Sequence, residues 1–511
     1  MHKGIIYRSV LILTLVLSCS CNKYLTLSPQ NGTTRQEFWQ NKEQLQSAVI
    51  GIYSSLIQGT PGFGKNPGSD RQMADFMFKW GELRADNINF TGSVYLDDYN
   101  MANGNVLPAN TNVQWYSFYR TINLCNTLLK YAPDVITADP TLTQAQLNSY
   151  LAEALAIRSL MYFYLVKTFG DVPLKLTPTS TDNDLEQLTK TPEATVLAQI
   201  LTDLNTAEQN AVFTYGNIAA NKGRVTKYMV NALQAEVYLY KYDYNNCIIA
   251  CDKIRNSGQF GLVAGNSNFF NTVYSNGNSS ESIFEFQYDG STTQVNPFYQ
   301  LFSISSTSSD IVAQSNVRGD LFPVDVNDDK NVDIRAAIAV NGGTGTIVKW
   351  IGSPNSSALL SATTSFRHWI IYRYAEILLF EAEAYAFTGK GVQALQLVQQ
   401  IQQRANAIYD PNLSLSLPDP NDANAVSLYI LDERDREFIY EGKRWYDLVR
   451  YAKRNFPTTS SILTNALAVN ASAALQQILI SKYKDPNAYY LPIYYNEILL
   501  DPNLVQNPFY K

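Results

Sequence analysis

Apolar residues recur at three- and four-residue steps through "RQEFWQNKEQLQSAVIGIYSSL" (Arg35 to Leu56), the spacing of an amphipathic helix. The same period runs through "QWYSFYRTINLCNTLLKYA" (Gln114 to Ala132) and "LNSYLAEALAIRSLMYFYLVKTFG" (Leu147 to Gly170). Gly170 with Pro173 shortly after it supplies a helix stop. A further helix is predicted within "PEATVLAQILTDLNTAEQNA" (Pro192 to Ala211). The stretch from Thr226 to Phe260 reads as two helices joined by a tight Tyr242-Asp243-Tyr244 turn, and its alanines fall where the helices must approach closely.

The pattern returns between Arg373 and Ala407, and its alanine and aromatic positions are those of tetratricopeptide-like helix pairs of about 34 residues. Long irregular stretches separate the helical blocks: Gly59 to Phe78, Asn87 to Val113 and Asp289 to Phe366. Loops of such length in a compact domain are uncommon and usually functional or disordered. "SESIFEFQY" (Ser280 to Tyr288) alternates like a strand, and "FRHWIIYRYAE" reads as the start of a buried helix. The fold expected is mainly α, a tetratricopeptide-like helical-pair scaffold with long irregular loops and a few short strands.

The N-terminus changes the picture. Lys3 and Arg8 precede the apolar run "VLILTLVL" (Val10 to Leu17), which is too short to span a bilayer and has the layout of a secretory signal. It ends in Ser-Cys-Ser-Cys, where a plain signal has small residues, so the site resembles a bacterial lipobox. Cys21 is the favoured lipidated residue and Cys19 the alternative. Acyl chains contribute about 0.8 kcal/mol for each buried CH₂, enough together to hold a large domain on a membrane.

Removing residues 1–20 leaves 37 basic against 45 acidic residues, a charge of −8, which argues against a nucleic-acid partner. Three cysteines remain beyond the signal, Cys125, Cys247 and Cys251, too few for a disulfide scaffold and best read as buried small residues. His2 leaves with the signal, so His368 alone remains, and multi-histidine zinc sites are excluded. No phosphate-loop motif occurs. Tyrosine is abundant (34 residues) and aromatics make up 12% of the chain, a composition suited to stacking on the apolar faces of sugars.

Six stretches in order carry a family resemblance. They are "CNKYLTLSP" after the lipid cysteine, "GELRADN" (Gly81 to Asn87), "FYRTINLCNTLL", "AEALAIRSLMYFYLVKTFGDVPL", "RYAEILLFEAEA" with "ERDREFIYEGKRWYDLVRY", and the ending "YYLPIYYNEILLDPNLVQNPFY". Together they resemble the SusD/RagB family of Bacteroidetes nutrient-binding lipoproteins over nearly the whole mature chain. One helix departs from the family pattern, with Gln399 and Gln402 where it usually has Asn and Arg. The resemblance implies a SusD-like N-terminal region over 21–225 and a RagB/SusD C-terminal region over 226–511, forming one structural unit. It also implies an outer-membrane lipoprotein that binds a glycan and delivers it to a SusC-like TonB-dependent transporter, without catalytic residues or a cofactor. The charged run holding Glu433, Glu437 and Glu441, and the pair Glu153 and Arg158, then read as ion pairs locking helices.

Loop position selects the ligand-binding candidates: Phe63, Trp80, Tyr95, Tyr288 and Trp350 as aromatic platforms, with Arg71 and Asp97 as polar partners. "DVNDDKNVD" offers Asp325, Asn327, Asp329 and Asp333 as oxygen ligands for a structural calcium, although Lys330 and Ala336 stand where a calcium loop has Gly and Glu. The rival functions are capture of peptides or another non-sugar nutrient, and a surface glycoside hydrolase with paired carboxylates. The expected location is the outer membrane, facing the exterior; no acidic cluster follows Cys21, which leaves a periplasmic orientation open.

Overall fold

A computed structural model describes residues 38–59, 71–90, 95–292, 294–303, 311–315, 317–323, 328, 331–341, 343–352, 359–407, 417–469 and 473–511. Cys19, Cys21, Phe63, Asp325, Asn327 and Asp329 lie outside these residues.

The helical periodicity of the sequence becomes a succession of packed helices. They are α1 (Lys42–Ile57), α2 (Met73–Glu82), α3 (Tyr116–Ala138), α4 (Gln144–Phe169), α5 (Glu193–Asn210), α6 (Lys227–Tyr240) and α7 (Tyr244–Arg255). In the C-terminal half follow α8 (Tyr374–Ala386), α9 (Gly391–Ala405), α10 (Ala423–Phe438) and α11 (Arg444–Arg454). Helix α4 begins in a capping box between Thr143 and Gln146, which satisfies backbone N–H groups that have no partner within the helix. It stops at Gly170, whose φ of 74° continues no helix. Neighbouring helices pack in sequence, α3 on α4, α4 on α5, α6 on α7 and α8 on α9, and α7 on α8 joins the two halves. The tight turn at Tyr242 holds as expected, with Tyr242 itself at positive φ. One apolar cluster runs from Leu45 to Leu504, and a smaller one lies between α8, α9 and α10.

Three readings of the sequence need correction. The Gly59–Phe78 stretch is irregular only in part, because helix α2 starts at Met73. Short helices also occupy Leu96–Ala102, Phe298–Phe302, Ile334–Ala339 and Val348–Ile351 within stretches read as loops. The segment after His368 is strand β4 (Trp369–Arg373) before it becomes helix α8, and it pairs antiparallel with β2 (Ser282–Phe286). Every residue of both strands is buried, so neither shows the clean alternation of a half-exposed strand. A second pair joins β1 (Ile88–Phe90) to β3 (Ile311–Ala313).

Strand β4 delivers Arg373 into the interior, where it meets Glu281 at 2.7 Å, Glu437 at 2.5 Å and Glu441 at 2.9 Å. Arg404 of α9 pairs with Glu281 and Glu437, Arg335 with Asp333, Glu433 and Glu437, Lys349 with Glu441, and Arg436 with Glu433. Among the described residues this connected cluster balances five acids with five bases, all essentially buried. A buried charge without a partner is strongly unfavourable, so such a cluster tolerates no missing member. Gln402 joins it by donating to Glu433 and Tyr429. The ion-pair reading of the charged run therefore holds, with one change: α10 ends at Phe438, and Glu441 reaches the cluster from the turn beyond it.

That turn explains two motif glycines. A methyl group on Gly81 of α2 would lie 1.8 Å from the Gly442 carbonyl oxygen, and Gly442 itself has φ 73°. The Glu82 carboxylate then accepts from the Gly442 N–H at 2.9 Å, tying "GELRADN" to "YEGKRW". Gly81→Ala should lower stability by about 1–3 kcal/mol through this backbone overlap, read as a loss of thermal midpoint.

Burial alone would raise the Glu441 carboxyl, but Arg373 and Lys349 outweigh it and bring it down to about 2. A depressed carboxylate contributes stability that is complete above its ordinary pKa of about 4.3 and is lost as pH falls through the folded value. Glu441→Gln should therefore be markedly less stable than wild type at pH 6, with the gap narrowing as pH falls from about 4.5 to 2, as measured by urea unfolding across that range.

Candidate functional site

Three of the sequence-selected residues converge, though beneath the surface. The Arg71 guanidinium donates to the Thr111 carbonyl at 2.8 Å and to the Asn112 side chain, and pairs with Asp75. The Trp80 Nε1–H donates to the Asn112 carbonyl at 2.6 Å. The Asp97 carboxylate accepts from the Thr111 N–H at 2.9 Å and its hydroxyl at 2.6 Å. Asp98 is fixed beside them by Lys79 at 3.0 Å and Asn112 at 2.8 Å. Arg71, Trp80 and Asp97 thus build the support of the Thr111–Asn112 turn. Trp80 has no exposed surface and Arg71 is buried, so neither presents a face to a ligand.

Trp350 is likewise a core residue. It stacks on Phe298 with ring centroids 4.8 Å apart, lies 5.0 Å from Trp369, and donates to the Tyr440 carbonyl at 2.7 Å. Tyr288 is buried, and burial pushes its hydroxyl up; that oxygen has no hydrogen-bond partner among the described residues. Tyr95 remains half-buried at the start of the Leu96–Ala102 helix. Of the calcium candidates Asp333 alone is described, and both its oxygens accept from Arg335.

The short helix that Asp97 ties to this turn carries an aromatic edge that the residue selection missed. Tyr99, 44% exposed, meets the half-buried Phe90 edge-to-face at 5.9 Å, on the short helix that Tyr95 opens. Asn100 and Asn103 flank it. The signal was available in the sequence. Tyr99 sits in "DDYNMANGN", among polar neighbours, whereas Trp80 sits in "DFMFKWGE" with apolar residues one turn away.

Two further concavities have room for a ligand; a third, of about 20 Å³ and lined by Lys167, Glu236, Glu376 and Asp447, does not. A cavity of about 400 Å³ opens between α1, the Ile218–Gly223 helix and β2, walled by Val49, Tyr53, Leu56, Ile57, Phe284 and Phe286. A groove of about 320 Å³ is lined by Phe213, Tyr228 and Phe260 together with Asn221, Lys222 and Asn278. Glu285 is the single carboxylate along the two linings among the described residues, so neither holds the carboxylate pair of a glycoside hydrolase. His368, the one histidine among the described residues, has Nδ1 3.1 Å from the Glu285 carboxylate and fulfils a structural role there. Cys125, Cys247 and Cys251 are all buried free thiols.

The comparisons with known proteins agree along the chain. Residues 315–510 match the model of the SusD family, and residues 23–239 match a family model described as starch-binding, associating with the outer membrane. The SusD-like protein P38 of Formosa agariphila is 24% identical over 88% of this chain and 92% of its own length. A SusD superfamily protein of Bacteroides vulgatus superposes with a TM-score of 0.74 at 21% identity, over 92% of this chain and all of the other. A laminarin-binding SusD-like protein superposes with a TM-score of 0.67 at 21% identity, over 92% of this chain and 99% of its own. The chain belongs to the SusD family, and its mainly α architecture is the SusD fold.

The burial of the tryptophans separates scaffold from surface. Trp350→Ala should cost about 3–5 kcal/mol of stability, whereas Tyr99→Ala, on an exposed edge, should cost less than about 1 kcal/mol, both read by chemical denaturation.

Proposed function

We propose that this protein captures a glycan at the outer membrane and passes it to a SusC-like TonB-dependent transporter. It is held there through a lipid on Cys21, or on Cys19, and faces the exterior. The observation that carries the reading is an exposed aromatic edge, Tyr99 against Phe90, beside a short helix tied to the Thr111–Asn112 turn, in a chain that belongs to the SusD family along both halves. Aromatic faces stack on the C–H faces of sugars, and neighbouring amides such as Asn100 and Asn103 suit hydroxyl groups. The laminarin-binding neighbour and the starch-binding description of the N-terminal family model support a sugar over a peptide. No helix among the described residues is long and apolar enough to cross a membrane, so attachment in this reading rests on the lipid. Capture and transfer require no bond to be broken, and the reading calls for no catalytic residue or cofactor.

Affinity electrophoresis of the full-length protein in detergent, through gels containing β-glucans, α-glucans and other plant or algal polysaccharides, tests it. Retardation by at least one polysaccharide is expected, with Tyr99→Ala reducing it severalfold or more and Trp350→Phe leaving it unchanged. Failure of every polysaccharide, with peptides binding instead, would contradict it.

A further inference from the structure

The Phe213–Phe260 groove lies on the helical scaffold, away from the Tyr99 edge in sequence and element. Its chemistry is one-sided. Phe213 is 56% exposed, and its ring lies 5.5 Å from Tyr228, which in turn meets Phe260 at 5.2 Å. The Lys227 ammonium rests 4.7 Å from the Phe213 ring centre and the Lys222 ammonium 4.4 Å from that of Phe260. Neither ammonium has a carboxylate within 4.0 Å among the described residues, in a chain whose net charge is −6. Lys222 spends one hydrogen bond on the Ser282 carbonyl. Glu285, the acid that acts on it from beyond ion-pair distance, takes His368 and the Asn278 N–H on Oε1, while its Oε2 has no hydrogen-bond partner among the described residues.

The amides complete the pattern. Asn221 uses its side-chain oxygen to accept from Tyr215 N–H at 2.6 Å and Thr214 at 3.1 Å; Asn278 uses its own to accept from Gln287 at 2.6 Å. In both, the Nδ2 donor has no protein partner among the described residues. The lining thus gathers an unpaired cation, two spare amide donors and three aromatic rings, with no acid. A half-buried ammonium without a counter-ion is unfavourable unless a ligand supplies one.

We propose that this groove is a second binding site, for a saccharide carrying an anionic group, a uronate carboxylate or a sulfate. The anion pairs with Lys222, the amides of Asn221 and Asn278 donate to its ring or flanking hydroxyl oxygens, and an apolar sugar face lies on Phe213. Lys227 stands at the rim as a second cation. Burial already brings the Lys222 ammonium down to about 8, and a bound anion would restore its charge.

Titration calorimetry on the full-length protein in detergent tests this with three probes of matched length: oligogalacturonate, its methyl ester, and a sulfated galactan oligosaccharide. Binding of at least one anionic probe is expected, weakened about tenfold or more by Lys222→Met and by Phe213→Ala, and unaffected by Tyr99→Ala. Preference for oligogalacturonate over its ester assigns the carboxylate; binding of the sulfated probe alone assigns sulfate. Phe213 is exposed, so Phe213→Ala keeps the test valid if Lys222→Met proves unstable. Equal binding of the ester, unchanged affinity in both variants, or no binding of either anionic probe would overturn the proposal. Retention of neutral polysaccharides through Tyr99 in that case would leave the capture reading standing.

Discussion

The structure depends on a buried bargain of charge centred on Arg373. A single guanidinium, brought in by strand β4, is in contact with Glu281 just before β2 and with Glu437 and Glu441 at the end of α10 and the turn beyond it. Five acids and five bases are linked through it and its neighbours among the described residues. Apolar packing sets how closely the helices approach, since it is non-directional and grows with area. The cluster sets which residues face one another, because charges in a low-dielectric interior are tolerated only in complete sets. The Gly81–Gly442 contact applies the same logic in steric form, as only a hydrogen at both positions allows α2 to reach the turn that presents Glu441.

From that centre outward, the order of the molecule becomes steadily less constrained. The helical pairs and both strand pairs are tied into the core, and the Thr111–Asn112 turn is tied to it by Arg71, Trp80 and Asp97. Through Asp97 the turn holds the short helix that carries Tyr99, whose aromatic edge is still exposed. A binding surface that is fixed before the ligand arrives loses less freedom on binding, which suits the capture and transfer proposed above.

The helical pairs were legible in the sequence because their signal is periodic and long, as in Leu147 to Gly170, where the stop at Gly170 was also marked. Strand β4 was not, because "WIIYR" is buried on both faces and shows no alternation; its apolar run merges with that of α8. The ion pairs of Glu433 and Glu437 were readable from helical spacing, yet two of their partners, Arg335 for both and Arg373 for Glu437, lie 60 or more residues away, beyond any local pattern. Site selection fared least well. Choosing large aromatics in or beside irregular stretches favoured Trp80 and Trp350, since a loop and a buried aromatic hub look alike in one sequence. Neighbouring polarity would have separated them from Tyr99.

The central claim is that sugar meets the exposed edge while the tryptophans stay inside. A crystal structure of the protein with a bound oligosaccharide tests it most directly. The account predicts a sugar ring stacked on Tyr99, with Trp80 and Trp350 still donating to the Asn112 and Tyr440 carbonyls. A sugar bound on an uncovered Trp80 or Trp350, with those hydrogen bonds broken, would contradict it.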